Sequence, residues 1–221
     1  MKMRINSNEI ATIIAIGKKI ADRGLVTGVW GNISCRISNT NNIAITPLGC
    51  DYKKLKRKDI CIVTLHGEII SAELTPSSEL PLHLAIYNKR PDIAAIIHTH
   101  SVFASACAVA RKAIPPIIED LIQINGGEVA VAEYALPGTP ALANNVITAL
   151  NDSNAILLSN HGVVGCGVDL TEALTICELV EKSAHIYICA QNLGGSSVLS
   201  AEDCKIMHDF CRQHYRKRNK Q

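Results

Sequence analysis

Apolar residues recur along this chain at two spacings, one typical of helices and one typical of buried strands. From Asn6 to Arg23 the isoleucines follow a helical period, and Gly24 stands where a helix would end. By contrast, the runs 93–97 and 155–159 are short and almost wholly apolar, as in strands covered on both faces. These patterns predict an amphipathic first helix and two strands in the middle of a sheet.

Further elements follow from the same patterns and from the turn residues between them. Helices are predicted at 78–88, 102–111, 139–150, 171–191 and 201–216, and strands at 34–38, 43–46, 129–132 and twice within 59–71. The glycine-rich segment 26–33 is predicted to be a loop. Because strands and helices do not alternate strictly, we expect a layered α/β fold whose mixed sheet is covered by helices.

Composition narrows the class of protein. A length of 221 residues with 48% hydrophobic residues fits one domain, residues 1–221, with a large core. The net charge of +2, without a basic stripe, argues against nucleic acid as the main partner, and the basic cluster 212–220 is interpreted as a solvated tail. No apolar run is long enough to span a membrane and the start lacks a signal-peptide pattern, so a cytoplasmic location is expected.

Nine cysteines are scattered along the chain without the paired spacing of a zinc motif. Their odd number and their positions within apolar runs do not suit a disulfide framework, which belongs to small secreted domains. They are therefore expected to be buried free thiols.

Three histidines end the two apolar runs. His98 and His100 alternate at the end of the first run, so their side chains would point to the same side of a strand, and His161 ends the second. Three protein ligands and one open position are typical of a catalytic zinc site. The alternative is that these are ordinary polar residues at strand ends.

Four short clusters contain glycine or hydroxyl side chains suited to a phosphate group: Gly31-Asn32, Thr46–Gly49, Ser77-Ser78 and Gly138-Thr139. Ser77 and Ser78 precede a predicted helix, whose N-terminus favours an anion, although they could simply cap that helix. Glu79 follows them and could either complement the helix dipole or serve as a base beside a metal. With a metal that stabilises an enediolate, these parts would support carbon–carbon bond chemistry next to a carbonyl.

In this order the motifs Gly31-Asn-Ile-Ser34, Ile45-Thr-Pro-Leu-Gly49, Pro76-Ser-Ser-Glu79, His98-Thr-His100 and Asn160-His-Gly162 resemble the class II sugar-phosphate aldolase and epimerase family. The resemblance covers about residues 9–191. It implies a three-layer α/β/α fold with a central, mainly antiparallel sheet, and a homotetramer with active sites near subunit interfaces. It also implies a small sugar phosphate as substrate. On the charge and the lack of a long apolar run, neither nucleic acid nor a membrane is expected as a partner.

The resemblance assigns roles to individual residues. It implies one Zn²⁺ per subunit on His98, His100 and His161, with Glu79 as catalytic acid/base that also meets the metal when substrate is absent. The substrate phosphate would be held by Gly31, Asn32, Thr46, Gly49, Ser77 and Ser78. A tyrosine near the C-terminus protonates the aldehyde oxygen in the family, and Tyr215 is the candidate for that role.

The reaction expected from the resemblance is reversible cleavage of a ketose 1-phosphate, such as L-fuculose 1-phosphate, to dihydroxyacetone phosphate and an aldehyde such as L-lactaldehyde. One departure keeps other reactions open, because a second aldolase tyrosine has no match and Ile118-Glu-Asp120 stands in its place. A ribulose-phosphate 4-epimerase and a methylthioribulose-1-phosphate dehydratase are the alternatives on the same scaffold. An adducin-like interaction module is a third, but such modules lack the histidine set.

Overall fold

The computed structural model describes the backbone of residues 7–218 and the side chains of residues 8–214. Its strands are β1 Asn32–Arg36, β2 Asn42–Ile45, β3 Cys61–Thr64, β4 Ile69–Ser71, β5 Ala95–Thr99, β6 Val131–Ala132, β7 Ala155–Leu158 and β8 Gly162–Gly167. Its α-helices are α1 Ser7–Asp22, α2 Leu80–Lys89, α3 Val102–Val109, α4 Glu119–Asn125, α5 Pro140–Leu150, α6 Leu170–Asn192 and α7 Ala201–Arg218, with a 3-10 turn at Arg57–Asp59.

The eight strands form one sheet in the order β4-β3-β2-β1-β5-β8-β7-β6. Every neighbouring pair is antiparallel except β6 and β7, which run parallel. The two apolar runs predicted to be central strands are β5 and β7, and β8 separates them. The predicted three-layer α/β/α fold with a mainly antiparallel sheet is confirmed.

Alternation along β5 shows how the layers form. Ile97 belongs to the core beneath α1 and α6, whereas Ile96 belongs to the core beneath α2 and α5. His98 stands two residues after Ile96, so its side chain is on the α2 face of the sheet. Its strand partner across the sheet is Asn32 of β1, which places the start of β1 beside the end of β5 on that same face.

One strand and one α-helix, β8 and α4, were not predicted. Glycines in Gly162–Gly167 resemble a loop in sequence, yet a Cβ at Gly165 would lie 2.6 Å from the Cys177 sulfur, and one at Gly167 would lie 2.6 Å from the Ala173 nitrogen. The strand therefore contains glycine because α6 packs directly on it. Helix α4 is only seven residues long and follows two prolines, so its periodicity was too short to read.

Other sequence expectations have mixed outcomes. The start of the first helix at Asn6 lies outside the described residues. Residues 212–218 are helical, as the end of α7, and residues 212–214 are exposed. The segment predicted to be a loop up to residue 33 already enters β1 at Asn32. All nine cysteines are free thiols; six are buried, but Cys189 is exposed. Among the helices between residues 7 and 218, none is long and apolar enough to cross a bilayer.

Candidate metal centre

Three imidazoles meet where β5 ends and where a tight turn joins β7 to β8. His98 is the penultimate residue of β5, His100 follows the strand, and His161 lies in the turn. The backbone N–H of His161 donates to the Leu158 carbonyl at 3.0 Å, and Asn160 takes a left-handed conformation with φ of 55°. This turn swings the third imidazole back over the end of β5.

The ring nitrogens of the three histidines converge. His98 Nε2 lies 2.8 Å from His100 Nε2 and 3.3 Å from His161 Nε2, and one nitrogen from each ring lies within 4.8 Å of the others. Two nitrogens bound at about 2.0–2.1 Å to one tetrahedral zinc ion would be roughly 3.3 Å apart. The nitrogen set therefore has the spacing of a three-histidine metal site.

The tautomer of His98 supports the same interpretation. Its Nδ1 lies 3.0 Å from the Val163 carbonyl oxygen, which can only accept, so Nδ1 carries the proton. In the neutral ring, Nε2 then presents a lone pair to the centre, as in metal sites whose ligand histidines donate to a backbone carbonyl. Close approach of such a lone pair to His100 requires either a proton or a cation between the two rings.

Burial makes protonation unfavourable for two of the three rings. Desolvation, followed by the neighbouring imidazoles, lowers the pKa of His100 to about 3. Desolvation and the charge of His98 lower the pKa of His161 to about 4, although Glu79 opposes both shifts. At neutral pH these rings are therefore free bases, which is the form that binds metal.

Two glycines permit the approach of the elements that carry the histidines. A Cβ at Gly162 would collide with the Thr99 carbonyl and lie 3.1 Å from the ring of His100. At Gly31, with φ of 87°, a Cβ would lie 2.7 Å from the carbonyl oxygen of His98. Any larger residue at either position would push the turn or the β1 entrance away from the end of β5.

Glu79 enters the centre from the start of α2. It is the residue immediately before the helix and is 5% exposed, and its backbone N–H donates to the Ser77 hydroxyl at 3.2 Å. The Ser77 backbone N–H donates in turn to the Thr46 carbonyl at 3.1 Å. The helix thus begins at Leu80, two residues later than predicted, and Ser77 positions Glu79 before the helix.

The carboxylate of Glu79 faces the imidazoles. Its Oε2 lies 3.2 Å from His98 Nε2 and accepts a hydrogen bond of 2.7 Å from Asn32 Nδ2, and its Oε1 lies 3.5 Å from His161 Nε2. Burial alone would raise the pKa of Glu79, but the charges of His98 and His161 and the Asn32 hydrogen bond lower it overall. The buried Oε1 has no hydrogen-bond donor among the described residues, so it is available to a cation or a substrate proton.

An open cavity of about 320 Å³ lies in front of Glu79, a size within the range of small-molecule sites. Five of the six predicted phosphate-binding residues line it: Gly31, Asn32, Gly49, Ser77 and Ser78. The sixth, Thr46, lies behind the wall, where its hydroxyl accepts from the backbone N–H of Ile33 at 3.1 Å. Thr46 therefore holds the wall in place in this subunit.

The described side chains do not test the role predicted for Tyr215, and Asp120, in the segment without the second aldolase tyrosine, lies away from the cavity. The side chain of Tyr215 lies outside the described residues, although its backbone belongs to α7. Asp120 lies on α4, where its carboxylate contacts the Lys182 ammonium at 2.6 Å, and it does not line the cavity. Gly138 approaches the centre, because a Cβ there would lie 2.9 Å from the carbonyl oxygen of Ser78.

Two further side chains, Trp30 and His83, lie at or behind the site and were not predicted from the sequence. Trp30, 64% exposed, stacks beside His100 at 6.3 Å between ring centroids and forms part of the cavity mouth. His83, fully buried on α2, contacts Asn32 behind Glu79. Its position one helical turn after Glu79 was the available signal, since residues i and i+4 share a helix face.

Comparison with known proteins agrees with this architecture. Residues 11–188 match the family described as "Class II Aldolase and Adducin N-terminal domain". Over 191 residues the chain is 37% identical to a 5-deoxy-D-ribulose 1-phosphate aldolase of Bacillus thuringiensis, covering 86% of this chain and 89% of that protein. It is 36% identical over 185 residues to an L-fuculose phosphate aldolase of Methanococcus maripaludis, covering 84% and 99%.

A solved structure of an L-fuculose 1-phosphate aldolase superposes with a TM-score of 0.91 at 37% sequence identity. The superposition covers 94% of this chain and 97% of that one. The two chains therefore share one fold over most of their length.

Proposed function

This chain belongs to the class II aldolase and adducin N-terminal domain family and is a class II aldolase, a lyase, and from that premise we propose that it cleaves a 1-phosphorylated ketose to dihydroxyacetone phosphate and an aldehyde. The observation that supports this most is the approach of Glu79 to the three imidazoles, 3.2 Å from His98 and 3.5 Å from His161. A buried carboxylate beside a metal-type nitrogen set is what proton transfer next to a carbonyl requires.

The metal is proposed to be one Zn²⁺ per subunit, held by His98, His100 and His161, with Glu79 as a further contact in the absence of substrate. When bound there, a divalent metal supplies a Lewis acid for the carbonyl and hydroxyl oxygens of the substrate. Three nitrogen ligands with an open position fit zinc, and the lowered pKa values of His100 and His161 keep those rings unprotonated. Metal analysis of the purified protein tests the identity of the ion.

Glu79 is proposed to be the catalytic acid/base. In the condensation direction its carboxylate removes a proton from the carbon next to the carbonyl of dihydroxyacetone phosphate. In cleavage the bond between C3 and C4 breaks, its electron pair remains with the C3 fragment, and Glu79 returns a proton to that carbon. The hydroxyl proton on C4 leaves as the aldehyde carbonyl forms, and Tyr215 is proposed to exchange that proton.

The phosphate is proposed to lie against Gly31, Asn32, Gly49, Ser77 and Ser78, with Thr46 supporting the wall. Hydroxyl and backbone N–H groups suit phosphate oxygens. Asn32 already donates one amide proton to Glu79, and its second amide proton is available to a bound ligand because the residue also lines the cavity. The phosphate and the reacting carbons are then held by neighbouring groups.

The far end of the substrate is proposed to be a deoxy, methyl-bearing carbon. Val29, Trp30, Leu48 and Pro137 give the cavity mouth an apolar wall. The relatives named above act on L-fuculose phosphate and 5-deoxy-D-ribulose 1-phosphate, which both end in a methyl group. Cleavage of these two substrates would release L-lactaldehyde and acetaldehyde, respectively. We further propose that the protein is cytoplasmic and forms a homotetramer. Light scattering on the purified protein would test the tetramer.

A coupled assay for dihydroxyacetone phosphate, run on both ketose phosphates with the zinc-loaded protein, tests the proposal. Release of dihydroxyacetone phosphate supports an aldolase, and the ratio of kcat/KM for the two substrates identifies the preferred aldehyde. Conversion without its release would instead indicate the 4-epimerase or the dehydratase, and product analysis on a panel of pentulose phosphates would distinguish them. No conversion of any substrate by metal-loaded protein would contradict the proposal.

A further inference from the structure

A line of buried polar side chains leads from Glu79 into the interior between β1 and α2. Asn32 contacts Glu79, His83 contacts Asn32, Ser34 contacts His83, and Tyr87 contacts Ser34. Asn32 is 3% exposed, Ser34 and His83 are fully buried, and Tyr87 is 1% exposed. Polar groups at this depth are costly unless every donor and acceptor is matched.

The direction of each hydrogen bond follows from the first one. The carboxylate of Glu79 can only accept, so the amide nitrogen of Asn32 must face it, at 2.7 Å. The amide oxygen of Asn32 then faces His83 Nε2 at 2.5 Å, so that nitrogen must carry a proton. The orientation of the Asn32 amide and the tautomer of His83 therefore determine each other.

The other nitrogen of His83 completes the pattern. Complete burial lowers the pKa of His83 to about 3, so the ring has a single proton and its Nδ1 can only accept. The Ser34 hydroxyl donates to Nδ1 at 2.6 Å, and the Tyr87 hydroxyl donates to Ser34 at 2.8 Å. Tyr87 is held in turn by Arg36, whose guanidinium lies 4.9 Å from the ring centroid and donates to the Tyr87 carbonyl at 2.7 Å.

We propose that His83 is a positioning residue for the aldolase reaction: it fixes the Asn32 amide so that its nitrogen faces Glu79, and thereby holds the carboxylate against the metal centre. The inference rests on the proposed role of Glu79. Without the proton on His83 Nε2, the Asn32 amide could rotate by half a turn and present its oxygen to the Glu79 carboxylate. That arrangement is repulsive, so Glu79 would move away from His98.

Neutrality makes His83 suited to this role. A charged residue at that distance would compete with the metal centre for the carboxylate, whereas a neutral donor orients Asn32 without adding a charge. Glu79 immediately precedes α2, and His83 lies within that helix, one helical turn further along the chain. The start of one helix therefore positions both the carboxylate and the group that holds it in place.

Two matched substitutions test the inference. A glutamine at position 83 is long enough to replace the Nε2 donor to Asn32. An asparagine is shorter by one methylene, so it can replace only Nδ1, the acceptor of the hydrogen bond from Ser34. In the zinc-loaded protein, His83→Asn is expected to lower kcat by about 10- to 100-fold, the usual cost of losing a group that orients a catalytic neighbour. His83→Gln is expected to restore most of that loss, and KM is expected to change less than kcat in both.

Variants further along the line give controls. Tyr87→Phe leaves the Ser34 hydroxyl to donate to His83, so kcat is expected to stay within about threefold of wild type. Ser34→Ala retains His83 but removes the donor that fixes its tautomer, so kcat is expected to fall even though the ring remains. Ser34→Ala therefore decides the question if His83→Asn does not give folded protein. Equal kcat for His83→Asn, His83→Gln and wild type would overturn the inference.

Crystal structures of the two His83 variants give a readout that does not depend on activity. The 2.7 Å contact between Asn32 and Glu79 is expected to persist in His83→Gln and to be lost in His83→Asn. Its survival in both variants would overturn the positioning role, whether or not the protein cleaves a ketose phosphate. If the contact responds as expected but no substrate is cleaved by wild type, the proposed function fails while the link between His83 and Glu79 stands.

Discussion

Asn32 of β1 lies directly opposite His98 of β5 in the antiparallel register, and the Glu79 carboxylate contacts both side chains through one oxygen. Oε2 of Glu79 is 2.7 Å from Asn32 Nδ2 and 3.2 Å from His98 Nε2. Three proposed roles therefore meet at this oxygen: phosphate binding by Asn32, metal binding by His98 and proton transfer by Glu79. Changes at this point should separate metal binding, substrate binding and proton transfer.

Glu79→Gln is the sharpest test of proton transfer, because glutamine keeps the size and the Asn32 contact but cannot exchange a proton. We expect kcat for dihydroxyacetone phosphate release to fall by about 10²- to 10⁴-fold. Zinc content, measured by elemental analysis, is expected to remain near one ion per subunit. Substantial cleavage by Glu79→Gln with bound zinc would rule out its role as the base.

His161→Ala should reduce metal binding, because the two imidazoles that remain, His98 in β5 and His100 just after it, cannot hold zinc as three do. His66, exposed in the turn between β3 and β4, provides the matched control, so His66→Ala is expected to bind zinc like wild type. Dialysis against a competing chelator followed by metal analysis measures the difference. Equal zinc retention by the two variants would contradict the three-histidine assignment.

Ser78 lines the cavity and is exposed, so its hydroxyl is free to meet a phosphate. Ser78→Ala is expected to raise KM for the ketose phosphate by roughly 10-fold, the cost of one hydrogen bond to a charged group, with kcat nearly unchanged. Ser71→Ala, on the exposed edge strand β4, should leave both constants at wild-type values. If KM is unchanged in both variants, the assignment of Ser78 to the phosphate pocket is wrong.

Acid should destabilise the metal-free protein through His83. Burial lowers the pKa of this ring from its usual 6.5 to about 3, so below pH 6.5 the unfolded chain binds a proton that the folded chain does not. Stability contributed by the neutral ring is therefore full above pH 6.5 and is lost as pH falls towards 3. Between pH 6.5 and 5 the loss is about 2 kcal/mol for this one group.

Urea unfolding of metal-free wild type and His83→Gln at pH 7 and pH 5 measures that contribution. Glutamine does not titrate, so the free energy of unfolding should fall less steeply with acid in the variant. His100 and His161 add a dependence of the same sign, and it is common to both proteins. Parallel pH dependences would show that His83 is protonated when folded.

Tyr215→Phe tests the proposed proton exchange at the aldehyde oxygen. If the phenol reaches a catalytic centre in the assembled protein, kcat should fall by about 10²-fold while zinc content is unchanged. Tyr187, on α6, supplies the control, and Tyr187→Phe is expected to leave kcat at the wild-type value. An unaltered kcat in Tyr215→Phe would assign the aldehyde proton to another group.

Much of the site was visible in the sequence, because its spacing follows from local geometry. Alternation at the end of β5 predicts His98 and the following His100 on one side, and the apolar runs identified β5 and β7 as central strands. The motif that ends in Glu79 stands next to a predicted helix start, as the structure shows. These features depend on residues close in the chain, where backbone period determines direction.

Other features required the tertiary structure. The glycines of β8 resemble a loop until α6 is seen to pack against them, and only the structure shows that the Thr46 hydroxyl accepts from the backbone N–H of Ile33. The contact of His83 with Asn32 joins β1 to α2, and no local pattern relates those two positions. The sequence by itself determined which side chains could carry the chemistry, since periodicity and residue type are local. Only the fold decided which of them touch, because strand register and helix packing bring together groups that are distant along the chain.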